Sequence, residues 1–297
     1  MSPGLKLVLL VFLASFMLQS GLAAPVGSLS KAVRRVRELV GALLLMLVFG
    51  PLVAVLVGRS FGLQGPAAAS LLVLSLVGVV PLAPKAAKKA RGDVPLAIVA
   101  MLALSLVTAF TATPAARAVL SYWGFRALVG IAPGSFLLTL LLLQVLPLAV
   151  GLALRASAAR ASWLEKVVGA VNAAAFLVIA LLVVAPRLGD IGALGLRGAA
   201  AGLVFAIVLA GLGWILGGPT PAGRRTLAAM ANMPNVALAL ALAASAYAPP
   251  VYTVALVAMF LLRVMAGLAI QAALARSARF ASSALPPPGD ARSAGAE

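Results

Sequence analysis

Residues 66–91 read PAAASLLVLSLVGVVPLAPKAAKKAR, an apolar stretch long enough to cross a membrane but interrupted by Pro81 and Pro84. About 20 apolar residues span a bilayer core of ~30 Å as a helix. Proline removes a backbone donor and clashes with the preceding helical turn. Residues 223–247, GRRTLAAMANMPNVALALALAASAY, repeat the arrangement with Pro234 in the interior. The two stretches together predict two broken membrane helices.

The composition of the whole chain predicts a helical membrane protein. Of its 297 residues 64% are hydrophobic and only 10% are charged, whereas a soluble domain carries roughly 45–50% apolar and about 25% charged residues. Lipid offers no hydrogen-bond partners, so the backbone must pair within helices or in a closed barrel. The apolar runs are continuous and lack the alternation of barrel strands. We therefore expect an all-α protein embedded in the lipid bilayer.

The order of the apolar runs predicts nine transmembrane helices in a single transporter domain, residues 1–275, followed by a disordered cytoplasmic tail, 276–297. The predicted spans are 5–24, 38–58, 66–91, 94–112, 135–155, 163–186, 195–217, 223–247 and 250–274. Spans 1–4 and 6–9 would form two inverted four-helix repeats, about 5–112 and 163–274, linked by the fifth span. The third helix of each repeat is the broken one, which is the sequence pattern of a transporter with its site at the midplane. Two unrelated proline kinks are the alternative, since membrane helices tolerate them.

The distribution of basic residues predicts the orientation. Of 23 Lys and Arg residues, sixteen fall on one side of the predicted layout, six fall on the other, and Arg263 lies within a predicted span. The positive-inside rule then places the N-terminus outside and the C-terminus in the cytoplasm. The basic residues form short clusters between apolar spans, so the net charge of +17 does not indicate nucleic-acid binding. A cleaved signal peptide in residues 1–24 is the alternative to a retained first helix, although cleavage would leave the basic stretch Lys31–Arg37 outside.

The residue inventory argues against an enzyme. The chain has no Cys and no His, and its six acidic residues lie in loops, at span edges or in the tail. Thiolate nucleophiles, imidazole bases and most zinc sites are thereby excluded. A serine nucleophile needs an activating base, and no acid or Lys lies at a suitable intramembrane position. We expect no catalytic residue and no metal site built from side chains.

Polar groups inside the predicted spans are the candidates for substrate binding. Asn232 and Asn235 flank Pro234, where they would either bind substrate or cap the two half-helices. Arg263 lies about halfway along the last span, where a charge costs at least ~2.5–3.5 kcal/mol. Its partners would be carbonyls at a helix break, amides or an anionic ligand, with structural pairing or snorkelling as the alternative to ligand contact. The predicted substrate-binding residues are Asn232, Asn235, Arg263, Asn172 and Gln144.

Three lysines fall on one face of the helix that follows the first break. Lys85, Lys88 and Lys89 are spaced i, i+3 and i+4. They would either form a cytoplasmic vestibule that concentrates anions or anchor the helix to anionic lipid headgroups. Both interpretations stay open at the level of sequence.

Three segments carry a family resemblance: FMLQSGL (Phe16–Leu22), PLAPKAAKKARGDVPLAI (Pro81–Ile98) and GPTPAGRRTLAAMANMPNVALALALA (Gly218–Ala243). They resemble the opening helix and the two crossover regions of the bile acid:sodium symporter superfamily, in its broad bacterial branch. The resemblance implies two crossing broken helices, alternating access by a panel–core rearrangement, a small organic anion as substrate and a bacterial inner-membrane location. The alternative is a non-transporting membrane receptor or assembly component.

The resemblance also raises the question of a sodium ion. Sodium-coupled members carry a Ser-Asn pair in the first crossover and hydroxyls in the next helix, and an acidic residue and a Gln in the second crossover. The matching positions here are Ala83, Pro84, Ala97, Met101, Met230 and Pro234. Backbone carbonyls at the breaks could still offer some Na+ ligands, but the side-chain cage is missing. We therefore expect no cofactor and little dependence on sodium.

Overall fold

The computed structural model describes residues 3–23, 26–79, 82–122, 141–155, 158–179, 194–235 and 250–283, with the single residues 138, 181, 192 and 239. Its principal elements are helices. They are α1 (Pro3–Ala23), α2 (Val26–Val33), α3 (Val36–Ser60), α4 (Gly65–Leu76), α5 (Ala83–Lys89), α6 (Val94–Tyr122), α7 (Leu141–Arg155), α8 (Ala158–Ile179), α9 (Gly195–Leu216), α10 (Pro221–Met230) and α11 (Pro250–Ser283).

Several helices have the length and apolarity of membrane spans. Three helical segments are long and apolar enough to cross a membrane by themselves: Val36–Ser60, Gly195–Leu216 and Val251–Phe280. The bent α6 adds a fourth span if its two parts are taken together. One face of α3 exposes an apolar residue at every fourth position from Val36 to Leu56, as a lipid-facing surface requires. The chain is therefore a helical membrane protein. The layout of nine spans in two inverted repeats stays a prediction, since 123–137, 182–191 and most of 236–249 lie outside the described residues.

Two helices are longer than the sequence predicted. Helix α6 continues through Pro114 to Tyr122, where a connector was expected from Thr113. The helix bends by 48° between Val94–Thr108 and Phe110–Ala116, one turn before Pro114, and it does not end there. Helix α11 continues to Ser283, so residues 276–283 are helical and are not part of a disordered tail. That segment contains no Gly or Pro to stop the helix.

A non-helical segment separates α4 from α5, just before the first predicted break. Helix α4 ends at Leu76 and α5 begins at Ala83. Gly78 lies between them with φ +63°, a left-handed conformation that glycine adopts without steric cost. Pro84 lies in the first turn of α5, where its missing N–H has no intrahelical partner to lose. Pro81 falls outside the described residues.

The second broken helix is interrupted at Pro234. Helix α10 starts after Thr220, whose hydroxyl accepts a hydrogen bond from the Gly223 N–H, and it ends at Met230. The backbone is then non-helical up to Asn235. The N–H of Ala239 donates to the Asn235 carbonyl at 3.0 Å, which is the i to i−4 bond of a new helical turn.

The two interruptions lie against each other. Val79 and Pro234 form an isolated antiparallel bridge. Next to it, the N–H of Asn235 donates to the carbonyl of Gly78 at 3.2 Å. Backbone groups that no helix can satisfy therefore pair between the two segments, as the lipid environment demands. We call this meeting point, residues 77–79 and 231–235, the crossing.

The helices divide into two packed groups. Helices α1, α7 and α8 pack chiefly on one another and form a three-helix bundle. The main bundle contains α3–α6 and α9–α11. Within the three-helix bundle, the Asn172 amide donates to the carbonyl of Phe12 and the hydroxyl of Ser15, both at 3.3 Å. Within the main bundle, Gly213 of α9 lets α10 approach so closely that an added Cβ would lie 2.8 Å from the backbone of Leu227 and Ala228.

Candidate functional site

A cavity of about 430 Å³ lies between the three-helix bundle and the main bundle. Small-molecule sites typically enclose ≈ 300–1,000 Å³. Its walls come from α1 and α8 on one side and from α5, α11 and the crossing on the other. The lining residues are Phe12, Leu82, Lys85, Ala86, Lys89, Asn172, Ala173, Met233, Phe260, Leu261, Val264, Leu268 and Gln271.

Four polar side chains interrupt the apolar walls. Lys85 and Lys89 are exposed, so one end of the cavity carries positive charge. The Lys85 ammonium also lies 4.5 Å from the centroid of the Phe16 ring. Asn172 and Gln271 are buried, and the Gln271 Nε2 has no hydrogen-bond partner among the described residues. Apolar walls with a few convergent polar groups are the usual form of a ligand site.

The sequence-predicted residues are divided between this cavity and the crossing. Asn172 lines the cavity, although its amide also holds α8 to α1. Arg263, Asn232 and Asn235 lie at the crossing and not among the lining residues. The side chain of Gln144 lies outside the described part of the chain. The substrate-binding role of all five stays a prediction.

Arg263 is buried at the crossing, with 0% of its surface exposed. Its Nη1 donates to the Leu74 carbonyl at 2.9 Å and its Nη2 to the Ala231 carbonyl at 3.1 Å. The guanidinium stacks 4.5 Å from the centroid of the Phe205 ring. No described carboxylate pairs with it. Arg263 therefore bonds to carbonyls at the helix breaks, which is one of the alternatives that the sequence left open. All of these observed contacts are with the protein itself.

The two asparagines occupy different positions in the second break. Asn232 is fully buried, and its Nδ2 donates to the Ala206 carbonyl of α9 at 2.9 Å. Its Oδ1 has no partner within the described ranges. The carbonyl of Asn235 accepts a hydrogen bond from the N–H of Ala239, four residues on, as the carbonyl of an N-cap residue does. The backbone geometry thus favours a capping role for Asn235 and an interhelical role for Asn232.

A polar network that sequence reasoning missed joins the loops beside the lysines. Arg35 bonds to Glu38 at 2.7 Å, to the carboxylate of Asp93, and to the Thr220 hydroxyl at 3.1 Å. The Asp93 N–H in turn donates to the Thr226 hydroxyl at 2.6 Å. The network therefore connects the start of α3 to the loop after α5 and to the start of α10. An Arg three residues before a Glu was the available sequence signal, but nothing in the sequence indicated Asp93 or Thr220 as partners.

The sequence analysis did not predict that α11 contributes to the cavity. Phe260, Val264, Leu268 and Gln271 recur at helical spacing on one face. In the sequence, Gln271 is one of several polar residues scattered through the predicted spans, and nothing there connects it to a cavity. Its buried, unpartnered amide is visible only with the neighbouring helices in place.

Comparison with known proteins identifies the family. The model of the sodium bile acid symporter family matches residues 10–194, which is more than half of the chain. This chain belongs to that family. The matched region contains the first break and nearly all of the three-helix bundle, whereas the second break lies beyond it. Among curated individual proteins, none matches the chain significantly.

The sodium bile acid symporter family is a family of secondary transporters, which are membrane proteins and not enzymes. The positions that the resemblance connects to Na+ do not fit that ion. Ala83, Ala97, Met101 and Met230 are buried apolar side chains, and none offers an oxygen. A hard cation would find only backbone carbonyls at these positions.

Proposed function

We propose that this protein transports a small organic anion by alternating access, with the cavity between the two bundles as its binding site. The observation that supports this best is the position of the cavity at the junction of two separately packed helix groups. Relative movement of two such groups would expose a site between them first to one side of the membrane and then to the other.

The lining supports an amphipathic anion as the substrate. Most lining residues are apolar, so an apolar body would be desolvated there favourably. Lys85 and Lys89 would attract an anionic group, and the unpartnered Gln271 amide would donate a hydrogen bond to it. A carboxylate or sulfonate on a compact hydrocarbon frame meets these requirements.

Filling the cavity tests this proposal. Ala173 and its neighbour Ala174 are both exposed, but only Ala173 lines the cavity. We expect Ala173→Trp to abolish the thermal stabilisation of the purified protein by organic carboxylates and sulfonates, cholate among them, and to abolish their uptake into proteoliposomes. Ala174→Trp should retain at least about half of each signal. Equal behaviour of the two variants would refute the cavity as the site.

The same experiment separates transport from a receptor or assembly role. The protein would be a receptor if an anion stabilises it, Ala173→Trp abolishes that stabilisation, and the wild type never moves the anion into proteoliposomes. Stabilisation in excess ligand follows RT ln(1 + [L]/Kd), about 2.7 kcal/mol at [L] = 100 Kd, so binding is detectable without transport.

We further propose that the N-terminus lies outside and the lysine-bearing loops lie in the cytoplasm of a bacterium. Ser60 and Ser30 are exposed serines that each bond to a carbonyl of the preceding turn. Because the chain has no native cysteine, Ser60→Cys should react with an impermeant maleimide on intact cells. Ser30→Cys should react only after the cells are permeabilised. Labelling of Ser30→Cys from outside would overturn the orientation or show that α1 is removed.

A further inference from the structure

The crossing gathers negative potential from two helix ends. Leu74 lies in the last turn of α4, and Ala231 directly follows α10. The last four carbonyls of a helix have no intrahelical partner. Each helix C-terminus carries a partial charge of about −0.5. Two such ends that meet inside a membrane therefore amount to about one negative charge that needs a cation.

Arg263 supplies that cation from within the chain. One guanidinium bonds to both helix ends at once, to the Leu74 carbonyl at 2.9 Å and to the Ala231 carbonyl at 3.1 Å. The side chain is fully buried, and Phe205 covers its face. In transporters with discontinuous helices, freed carbonyls and half-helix C-termini are the groups that coordinate a coupling cation. Here those groups are engaged by a cation that cannot leave.

We propose that Arg263 is a tethered cation that takes the place of a mobile coupling ion at the crossing, so that the protein needs no bound Na+. The apolar side chains at Ala83, Ala97, Met101 and Met230 are consistent with this, since they offer a sodium ion no oxygen. The structural part of the inference is independent of the transport activity. Only its consequence, uptake that does not depend on sodium, rests on the proposed function.

Chemical rescue tests the inference in the full-length protein. Arg263→Ala removes the atoms of an ethylguanidinium ion and leaves a space edged by the two carbonyls. We expect the variant to melt at least about 5 °C below the wild type. Millimolar ethylguanidinium chloride should recover most of that loss, and NaCl should recover more than choline chloride does. The wild type should melt at the same temperature in NaCl and in choline chloride.

A matched variant and a second substitution keep the result interpretable. Arg276 is an exposed arginine on the same helix, so Arg276→Ala should neither lower the melting temperature nor respond to ethylguanidinium. If Arg263→Ala yields no folded protein, the inference is tested by comparing the amounts of folded protein that Arg263→Lys and Arg263→Gln yield. Lys keeps the charge and Gln keeps only a hydrogen-bond donor, so the inference requires Lys to recover more folded protein than Gln.

Two results would overturn the inference. One is an Arg263→Ala variant that ethylguanidinium stabilises no more than choline does. The other is a wild-type protein whose melting temperature, or whose anion uptake, falls when choline replaces sodium. In the second case uptake itself would still support the proposed transport function, so the two conclusions can fail separately.

Discussion

Charge reversal at Lys89 is expected to weaken the binding of organic anions by roughly 10- to 30-fold at low ionic strength. Lys89 lines the cavity and is exposed at one end of it. A unit charge at 4 Å contributes about 1 kcal/mol in water, and reversal changes the interaction by two units. Lys85→Glu with Lys89→Glu should weaken binding by at least ~100-fold and reduce uptake to background. Titration calorimetry of the best anion in the thermal-shift series measures both effects.

Lys88 provides the matched control for this charge effect. It precedes Lys89, is also exposed and carries the same charge, but it does not line the cavity. Lys88→Glu should change affinity by no more than about 3-fold, because a charge outside the lining acts on the ligand over a longer distance through water, where the interaction is weaker. The difference between the two variants should shrink as salt is raised. If Lys88→Glu and Lys89→Glu weaken binding equally, the lysines act as a headgroup anchor or a diffuse field and not as part of the site.

Substitution of Gly78 by alanine is expected to lower the free energy of unfolding by roughly 2–5 kcal/mol and to abolish transport. Gly78 has φ +63°, and a side chain there costs about 1–2 kcal/mol in strain. An added Cβ would lie 3.0 Å from the Cγ2 of Thr108, and overpacking adds about 1–3 kcal/mol. The carbonyl of Gly78 also accepts the Asn235 N–H. Thermal melting in detergent and uptake into proteoliposomes check the two effects.

Gly62 separates backbone strain from damage to the crossing. It has φ +59°, and an added Cβ would meet nothing within 4 Å. Gly62→Ala should therefore cost only the strain, about 1–2 kcal/mol, and leave transport intact. Thr108→Ser removes the clashing Cγ2, so it should restore part of the stability lost in Gly78→Ala. A Gly62→Ala variant as damaged as Gly78→Ala would show that the crossing makes no special demand at Gly78.

The sequence predicted which polar residues would be buried in the protein, but it did not predict which groups they would contact. The burial of Arg263 and Asn235 can be predicted from sequence alone, since each lies deep within an apolar span, where a polar or charged side chain must face protein. The sequence also grouped Arg263 with the substrate-binding residues, but Arg263 does not line the cavity. In the structure Arg263 faces the crossing, while Val264 and Gln271 of the same helix face the cavity. One residue along a helix turns the side chain by about 100°.

From the sequence alone it follows that the chain is a helical membrane protein, and Pro81, Pro84 and Pro234 predict two interrupted helices. Both properties are local or compositional: apolar runs require internal hydrogen bonds in lipid, and a proline inside a helix removes a hydrogen bond and kinks or breaks the helix. Which face of each helix meets the crossing, the cavity or lipid depends on contacts between helices that are distant in sequence. Helix α11 is apolar around most of its circumference, so no amphipathic pattern fixes its rotation. Packing against α4, α9 and α10 sets that rotation, and with it the burial of Arg263 between Leu74 and Ala231.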